Sequence, residues 1–290
     1  MLTNLAGVLT DAAANRYGIA CFNVFGWEDA RAVVAAAAEL GAPVILAANL
    51  DFRRFMPVEV IAVMLRSLAQ RAAVPVCVHL DHTYDIDEVL RGVDLGFSSV
   101  MFDGSQLPLA DNIAATARVV EYAHAAGCSV EAEAGSVPYA EGRSHIKSAR
   151  TEVAEAVRLA RATGIDALAV AVGNVHRLNR PDAVIDFERL GQIAAAVSVP
   201  LVIHGTSGIS DPDIARLARA GVAKFNIGTR LRQAFGAGLR GTLQRHPARF
   251  DRLEIMGDAM PAVTEEAKRL IRLLGWESRS PGATASRSGA

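Results

Sequence analysis

Three histidines, His82, His176 and His204, each close an apolar run of the chain: VHLDH, AVAVGNVH and LVIH. Three imidazoles brought to one place would suit a zinc ion, with the fourth coordination position left for water or substrate. Their spacing is dispersed, so by itself it leaves open metal ligands, core histidines and simple hydrogen bonding to a substrate. Asp81 directly precedes His82. A carboxylate beside a bound substrate can shuttle a proton, whereas the same residue as N-cap of the next helix would do no chemistry. Other apolar runs end at Asn23, at Asp103, at Glu131 and Glu133, and at Asn226. Two turns, His204-Gly205-Thr206-Ser207-Gly208 and Asn226-Ile227-Gly228-Thr229, are small enough to let a phosphate approach backbone N–H groups. His79 reads as core or as support for a ligand, and His124 and His246 as surface residues. His145, in the long loop after the fifth strand, reads as solvent-facing, with a visit to the site as the alternative.

For these side chains to meet, the runs that carry them must lie side by side. Eight short apolar segments, 19–24, 43–48, 75–80, 98–102, 128–132, 167–172, 200–204 and 223–227, alternate with Ala/Leu/Arg-rich stretches of helical period. Continuous apolar strands suit a parallel sheet buried on both faces. In ISDPDIARLARAGV, Ser210 and Asp211 are cap candidates and Pro212 falls in the first turn. Helices are expected to end at Gly41, Gly96, Gly127, Gly164 and Gly221, each just before the next strand. Eight βα units in 290 residues predict an α/β protein, a (β/α)8 TIM barrel. A doubly wound open sheet competes less well, because it seldom needs eight consecutive units and the first strand lacks a GxGxxG turn. Residues 1–276 are expected to form one barrel domain, with 277–290 a Ser/Gly/Ala-rich disordered tail. Barrel active sites gather at the C-terminal ends of the strands, and there the polar residues cluster.

Composition narrows the partners. Apolar residues make up 51% and charged residues 21%, while aromatics are only 6%, so the core is built mainly from Ala, Val, Leu and Ile. Lys and Arg number 30 against 31 Asp and Glu. With no basic block, nothing in the charge favours nucleic acid or an anionic membrane surface. The first 20 residues lack the pattern of a secretory signal, and the apolar runs fall far short of the roughly 20 residues of a membrane span. Cys21, Cys77 and Cys128 are odd in number and lie in apolar runs, as buried thiols of a reducing cytosol do. A cytoplasmic location is expected.

Taken in order, CFN (21–23), HLDH (79–82), SVMFDGS (99–105), VEAEAG (130–135), AVAVGNVH (169–176), LVIHGTSG (201–208) and KFNIGT (224–229) resemble the class II, zinc-dependent ketose-bisphosphate aldolases that act on fructose and tagatose bisphosphates. The resemblance runs from about residue 20 to 274. It implies zinc on His82, His176 and His204, and Asp81 as the group that gives and takes the C4 hydroxyl proton. Asp103 and Glu133 would hold a displaced zinc or a second divalent cation, and a monovalent cation can accompany the phosphate. Glu141 falls where the family carries its C3 proton-transfer acid. Asn23, Gly205, Ser207, Asn226 and Thr229 match substrate- and phosphate-binding positions, Gly228 is a further substrate- or phosphate-binding candidate, and a homodimer or homotetramer is implied.

The chemistry is coherent with those residues. Breaking the C3–C4 bond of a ketose phosphate leaves a carbanion beside a carbonyl, and Zn²⁺ can stabilise the resulting enediolate as a Lewis acid without a Schiff-base lysine. Lys224, the one lysine on a barrel strand, keeps a Schiff-base mechanism as an alternative. The chain also departs from the family. Arg177 stands where Gly usually follows the second zinc histidine, and it could replace a cation, clamp a phosphate or carboxylate, or turn to solvent. The loop after Glu133 lacks a Gly-Gly pair, strand two ends in AANLDF without a Ser-Gly phosphate contact, and Gly228 replaces Asp or Ala. The expected activity is therefore reversible aldol cleavage of a ketose phosphate or related sugar phosphate, with dihydroxyacetone phosphate as the ketone half. A related zinc-dependent aldol or proton-transfer step on a non-standard substrate, and a non-catalytic sugar-phosphate-binding barrel, are the alternatives.

Overall fold

In the computed structural model, which describes residues 1–140, 146–178 and 180–276, the eight apolar runs are eight parallel strands: β1 (Ile19–Asn23), β2 (Val44–Ala48), β3 (Val76–Thr83), β4 (Ser99–Phe102), β5 (Ser129–Ala134), β6 (Ala167–Val170), β7 (Leu201–Ile203) and β8 (Val222–Ile227). Each pairs with the next, and β8 pairs with β1 through Ile19↔Lys224 and Phe22↔Ile227, so the sheet closes. Helices connect the strands. This is the (β/α)8 barrel that the alternation predicts. β3 and β5 run on past their expected ends, to Thr83 and Ala134, and both extensions carry candidate site residues.

The helix signals act locally as expected. Ser210 Oγ accepts the Asp213 N–H at 3.2 Å, with Pro212 in the first turn of helix Asp211–Arg219. The five glycines expected to end helices all have positive φ. The expectation for 277–290, and the residues Glu141 and His145, lie outside the described residues.

Outward-facing strand residues such as Phe22, Leu46, Val78 and Phe225 pack beneath the helices. Inside the barrel the chemistry is layered. At the lower end Ile19, Cys21, Ile45, Cys77, Met101 and Val202 pack against Leu5, Val8, Leu9 and Ala12 of helix Leu5–Asn15, which stoppers the barrel from below. That helix is not among the eight expected βα units. It is tied down by Leu2–Thr3, which pairs with Val76 and Cys77 of β3, and by the N-terminal ammonium, which donates to the carbonyls of Ala72 and Val74 at 2.7 Å each. Going up, inward positions turn polar: His79 and Asp81 follow Cys77 on β3, Glu131 and Glu133 follow Ser129 on β5, and Asn226 follows Lys224 on β8, all buried. One end of the interior is thus a hydrophobic seal and the other is the site. No helix among the described residues is long and apolar enough to cross a membrane.

Leu9 is buried in the seal. Leu9→Ala is expected to cost about 3 kcal/mol of stability, the usual range for a buried Leu→Ala cavity. Urea unfolding should show a lower midpoint with an unchanged slope.

Candidate active site

Asp81 and His82 are adjacent on β3, and strict alternation would send them to opposite faces. The ladder to β4 slips between Leu80 and Thr83, and His82 lies in the left-handed region at φ 44°. This bulge turns both side chains to the mouth of the barrel. It also leaves carbonyls without ladder partners, and Arg53 of helix Leu50–Phe55 takes them up. Its Nη1 donates to Asp81 O (2.8 Å) and Ala48 O (2.7 Å), its Nη2 to His82 O (3.1 Å), and its Nε to Glu88 Oε1 (2.8 Å). A left-handed non-glycine residue costs of order 1–3 kcal/mol and persists only when its surroundings over-determine it; the Arg53 bonds to the Asp81 and His82 carbonyls are the restraint. Asp85, not Asp81, caps helix Ile86–Asp94, so the capping alternative for Asp81 falls away.

The three imidazoles meet. Ring centroids of His82 lie 4.5 Å from His204 and 5.1 Å from His176, with His176 and His204 5.7 Å apart. One nitrogen from each ring falls in a set of mutual separations within 4.8 Å. Gly205, at φ 67°, makes this approach feasible, because a Cβ there would stand 2.5 Å from the Val175 carbonyl carbon and 2.8 Å from His176 N. Outer partners decide which nitrogen faces inward. His82 Nδ1 is 2.8 Å from Asp103 Oδ2, leaving Nε2 for the centre. His204 Nε2 is 2.8 Å from Glu131 Oε1, leaving Nδ1. These two inward nitrogens are 2.8 Å apart. His176 stacks on Tyr139 with centroids 4.3 Å apart, and its buried Nε2 has no hydrogen-bond partner among the described residues. Converging imidazoles oriented by carboxylates, one with an orphaned nitrogen, fit a zinc-type divalent ion. A second set, His82, Asp103 and Glu133, also has ligand atoms within 4.8 Å of one another, and Glu133 Oε2 has no hydrogen-bond partner among the described residues.

Protonation follows from burial and neighbours. Burial, then the charge of His82, holds His176 and His204 well below the usual histidine range, so both are neutral near pH 7. Burial opposes the charged form of His82 as well, but Tyr139, Asp81 and Asp103 outweigh it and lift His82 well above that range. Asp81 is lowered: burial works against its carboxylate, and the charges of His82, His204 and Lys224 prevail. Glu133 is pushed up to about 8 by burial and by repulsion from Asp103, while Asp103 falls to about 2 because its hydrogen bond to His82 and the His82 charge overcome burial.

Around this centre lies a cleft open to solvent above. Asn23, Asp81, His82, His176, Arg177, His204, Gly205, Ser207, Asn226, Gly228 and Thr229 all line it, so these expected site residues are brought together. Asp103 and Glu133 sit behind His82 rather than on the cleft wall. The two glycine turns are adjacent, joined by Thr206 Oγ1 donating to Asn226 O at 2.7 Å. Helix Thr229–Arg245 opens on this wall with no side-chain cap on its first N–H groups. Arg177, at φ 57°, is partly exposed at the rim and stays out of the histidine cluster. It forms an ion pair with Asp51 across the mouth and lies 5.7 Å from the Tyr139 ring centroid. Lys224 is buried below the cleft against Glu131 at 2.7 Å and does not reach its wall, which removes the support for a Schiff-base lysine. His79 is core, held by Ser99 Oγ at 2.8 Å, and His124 is on the surface beside Asp166. Arg53, Asp51, Arg232 and the pairing of Glu131 with Lys224 escape a reading of the sequence. For the last pair a signal exists, since Lys224 is the lone charge of VAKFNI and Glu131 one of two carboxylates in the otherwise uncharged SVEAEA. For the arginines and Asp51, on helices, none does.

Residues 3–279 match the family model for class II fructose-bisphosphate aldolase. Among solved structures, the YdjI aldolase of Escherichia coli shares 34% identity over 95% of this chain and 98% of that one, with a TM-score of 0.83. A putative fructose-1,6-bisphosphate aldolase from Coccidioides immitis shares 25% identity over 94% of this chain and 96% of its own, with a TM-score of 0.85. The fructose-bisphosphate aldolase of Campylobacter jejuni, at 22% identity over 94% and 95% and a TM-score of 0.81, has the same fold. With an aldolase barrel of this kind matched over nearly its whole length, and with its histidines converging at the barrel mouth, the chain belongs to the class II fructose-bisphosphate aldolase family.

Proposed function

We propose that the chain is a zinc-dependent aldolase that reversibly cleaves a ketose phosphate or related sugar phosphate, with dihydroxyacetone phosphate as the ketone half. The observation that carries this reading is the convergence of His82, His176 and His204 beside Asp81 in one cleft that two glycine turns also line. His82, His176 and His204 would hold the ion, which when bound supplies Lewis-acid stabilisation of charge at the ketose carbonyl. Asp103 and Glu133, with a ring nitrogen of His82, would take a displaced or second divalent ion.

The chain's own residues supply the rest. Asp81 is ionised at neutral pH, so it accepts the C4 hydroxyl proton as the C3–C4 bond breaks and returns it in condensation. Asn226 Nδ2 donates to Asp81 Oδ1 at 2.9 Å and orients that carboxylate. Gly205, Ser207, Gly228 and Thr229, with the uncapped start of helix Thr229–Arg245, offer N–H groups to the substrate phosphate, and Asn23 contacts the sugar. Glu141, outside the described residues, is assigned the C3 proton. Support comes from the segment just before it, where Ala140 N donates to His176 O at 2.9 Å and so ties that loop to the metal centre. Arg177 at the rim is assigned the anionic end of the aldehyde half, a phosphate or a carboxylate. The three buried free thiols suit a cytoplasmic setting, and a homodimer or homotetramer is assigned from the family.

Incubation of dihydroxyacetone phosphate with glyceraldehyde 3-phosphate, a carboxylated aldehyde and a neutral aldehyde tests the activity. Condensation with at least one, abolished by a chelator and restored by Zn²⁺, is expected. Full activity in metal-free protein would refute it, and C3 hydrogen exchange with no aldehyde consumed would identify a proton-transfer enzyme instead.

Zinc must displace a proton from His82, whose charged form is favoured, while His176 and His204 are already neutral. Zinc affinity is therefore expected to rise with pH above the usual histidine range, with about one proton released per ion near neutrality, as read by calorimetry in buffers of different ionisation enthalpy. Arg177→Gly, which suits its positive φ, should raise KM for an anionic acceptor about tenfold, the equivalent of ~1.4 kcal/mol. The KM for a neutral aldehyde, measured in parallel, should stay within about twofold.

A further inference from the structure

Lys224 is fully buried within the barrel, beneath the histidines, and makes two polar contacts that point in different directions. Its Nζ lies 2.7 Å from Glu131 Oε2, and it donates to Asn226 Oδ1 at 2.7 Å. We infer that Lys224 is a positioning residue that sets the orientation of the Asn226 amide and, through Glu131, the face that His204 turns to the metal centre. An ammonium has donors only, so the amide atom beside it must be the oxygen. The Asn226 NH₂ group is then forced to the opposite side, where it lies 2.9 Å from Asp81 Oδ1 and 3.3 Å from His204 Nδ1. A flipped amide would set NH₂ against NH₃⁺ and carbonyl oxygen against carboxylate, both in a buried site where neither mismatch is solvated.

The other arm works on the imidazole. Glu131 Oε2 is engaged by Lys224, and Oε1 takes His204 Nε2–H at 2.8 Å, so His204 presents Nδ1 to the centre. Lys224, Glu131 and His204 are all 0% exposed, so no water competes for these bonds. One ammonium therefore orders the proton-transfer carboxylate and a metal ligand together. The blander role for Lys224 would be to neutralise Glu131 and nothing more.

The inference rests on the proposed metal-dependent aldol chemistry, and the test has an arm that does not need turnover. Lys224→Met alone leaves Glu131 buried and unpaired, so it is compared with the charge-balanced double variant Lys224→Met/Glu131→Gln. Three quantities are measured on each: thermal unfolding, Zn²⁺ affinity by competition with a chromophoric chelator, and kcat and KM for condensation of dihydroxyacetone phosphate with glycolaldehyde. The double variant is expected to fold near the wild-type Tm, to bind Zn²⁺ about 10-fold more weakly, and to lose kcat about 10- to 100-fold. Its KM for dihydroxyacetone phosphate should stay within about twofold, because the glycine turns that hold the phosphate are untouched. Wild-type zinc affinity and kcat in the double variant would show that charge balance alone mattered and overturn the inference. A double variant that fails to fold, or one in which kcat falls only together with stability, would overturn it too. If wild-type protein condenses no aldehyde, the aldolase reading fails, and the zinc-affinity comparison still decides the role of Lys224.

Discussion

Imidazole nitrogens do not gather in a dry cavity on their own account, since each is a polar group that burial penalises unless something bonds to it. Here three rings do gather, and everything above the hydrophobic seal serves to keep them there. Asp103 binds the outer nitrogen of His82 and Glu131 that of His204, both at 2.8 Å. With the outer nitrogens engaged, the inner ones have a single direction left. The arrangement is one of enforced convergence, in which carboxylates fix the rings and the backbone fixes the carboxylates.

The backbone does so by local departures from regularity at the strand ends. β3 bulges and places His82 at φ 44°, Arg177 follows His176 at φ 57°, and Gly205 follows His204 at φ 67°. At or directly after each of the three histidines the backbone passes through the left-handed region. Two of the three residues concerned are not glycine, so strain is concentrated at the site and held by neighbours. Arg53 gathers the carbonyls of the β3 bulge, and the ion pair with Asp51 holds Arg177. The opposite end of the barrel, with helix Leu5–Asn15 packed into an apolar layer, supplies the stability against which this strain is set.

The layered interior also separates roles that lie close in the sequence. On β8, Lys224 and Asn226 are two residues apart and share a face, yet the first is sealed beneath the ligands and the second lines the cleft. On β5, Glu131 orients a ring from below while Glu133 stands behind His82. A period of two places these residues on the same side; height along the barrel axis then decides whether a charge does chemistry or supports it.

Much of this molecule is legible in its amino-acid order. The eight apolar runs, the glycines that end helices and the cap at Ser210 are local signals, because strand burial and helix termination depend on near neighbours, and they determine the barrel. A barrel in turn places strand ends on one rim, so His82, His176, His204, Asp81 and Asn226 could be listed together from spacing and resemblance. What tertiary structure alone decided are contacts between residues far apart in the chain. Alternation allowed Asp81 and His82 to face one way only if the strand ended there; instead the strand runs on to Thr83, and a bulge stabilised by Arg53 turns both to the mouth. Arg177 had three open destinations until Asp51, 126 positions away, took its guanidinium. Lys224 kept a Schiff-base nucleophile open as a lesser alternative until Glu131 lay beside it. Side-chain direction and charge partnership are set by what the fold brings alongside, and no pattern of neighbours along the chain encodes that.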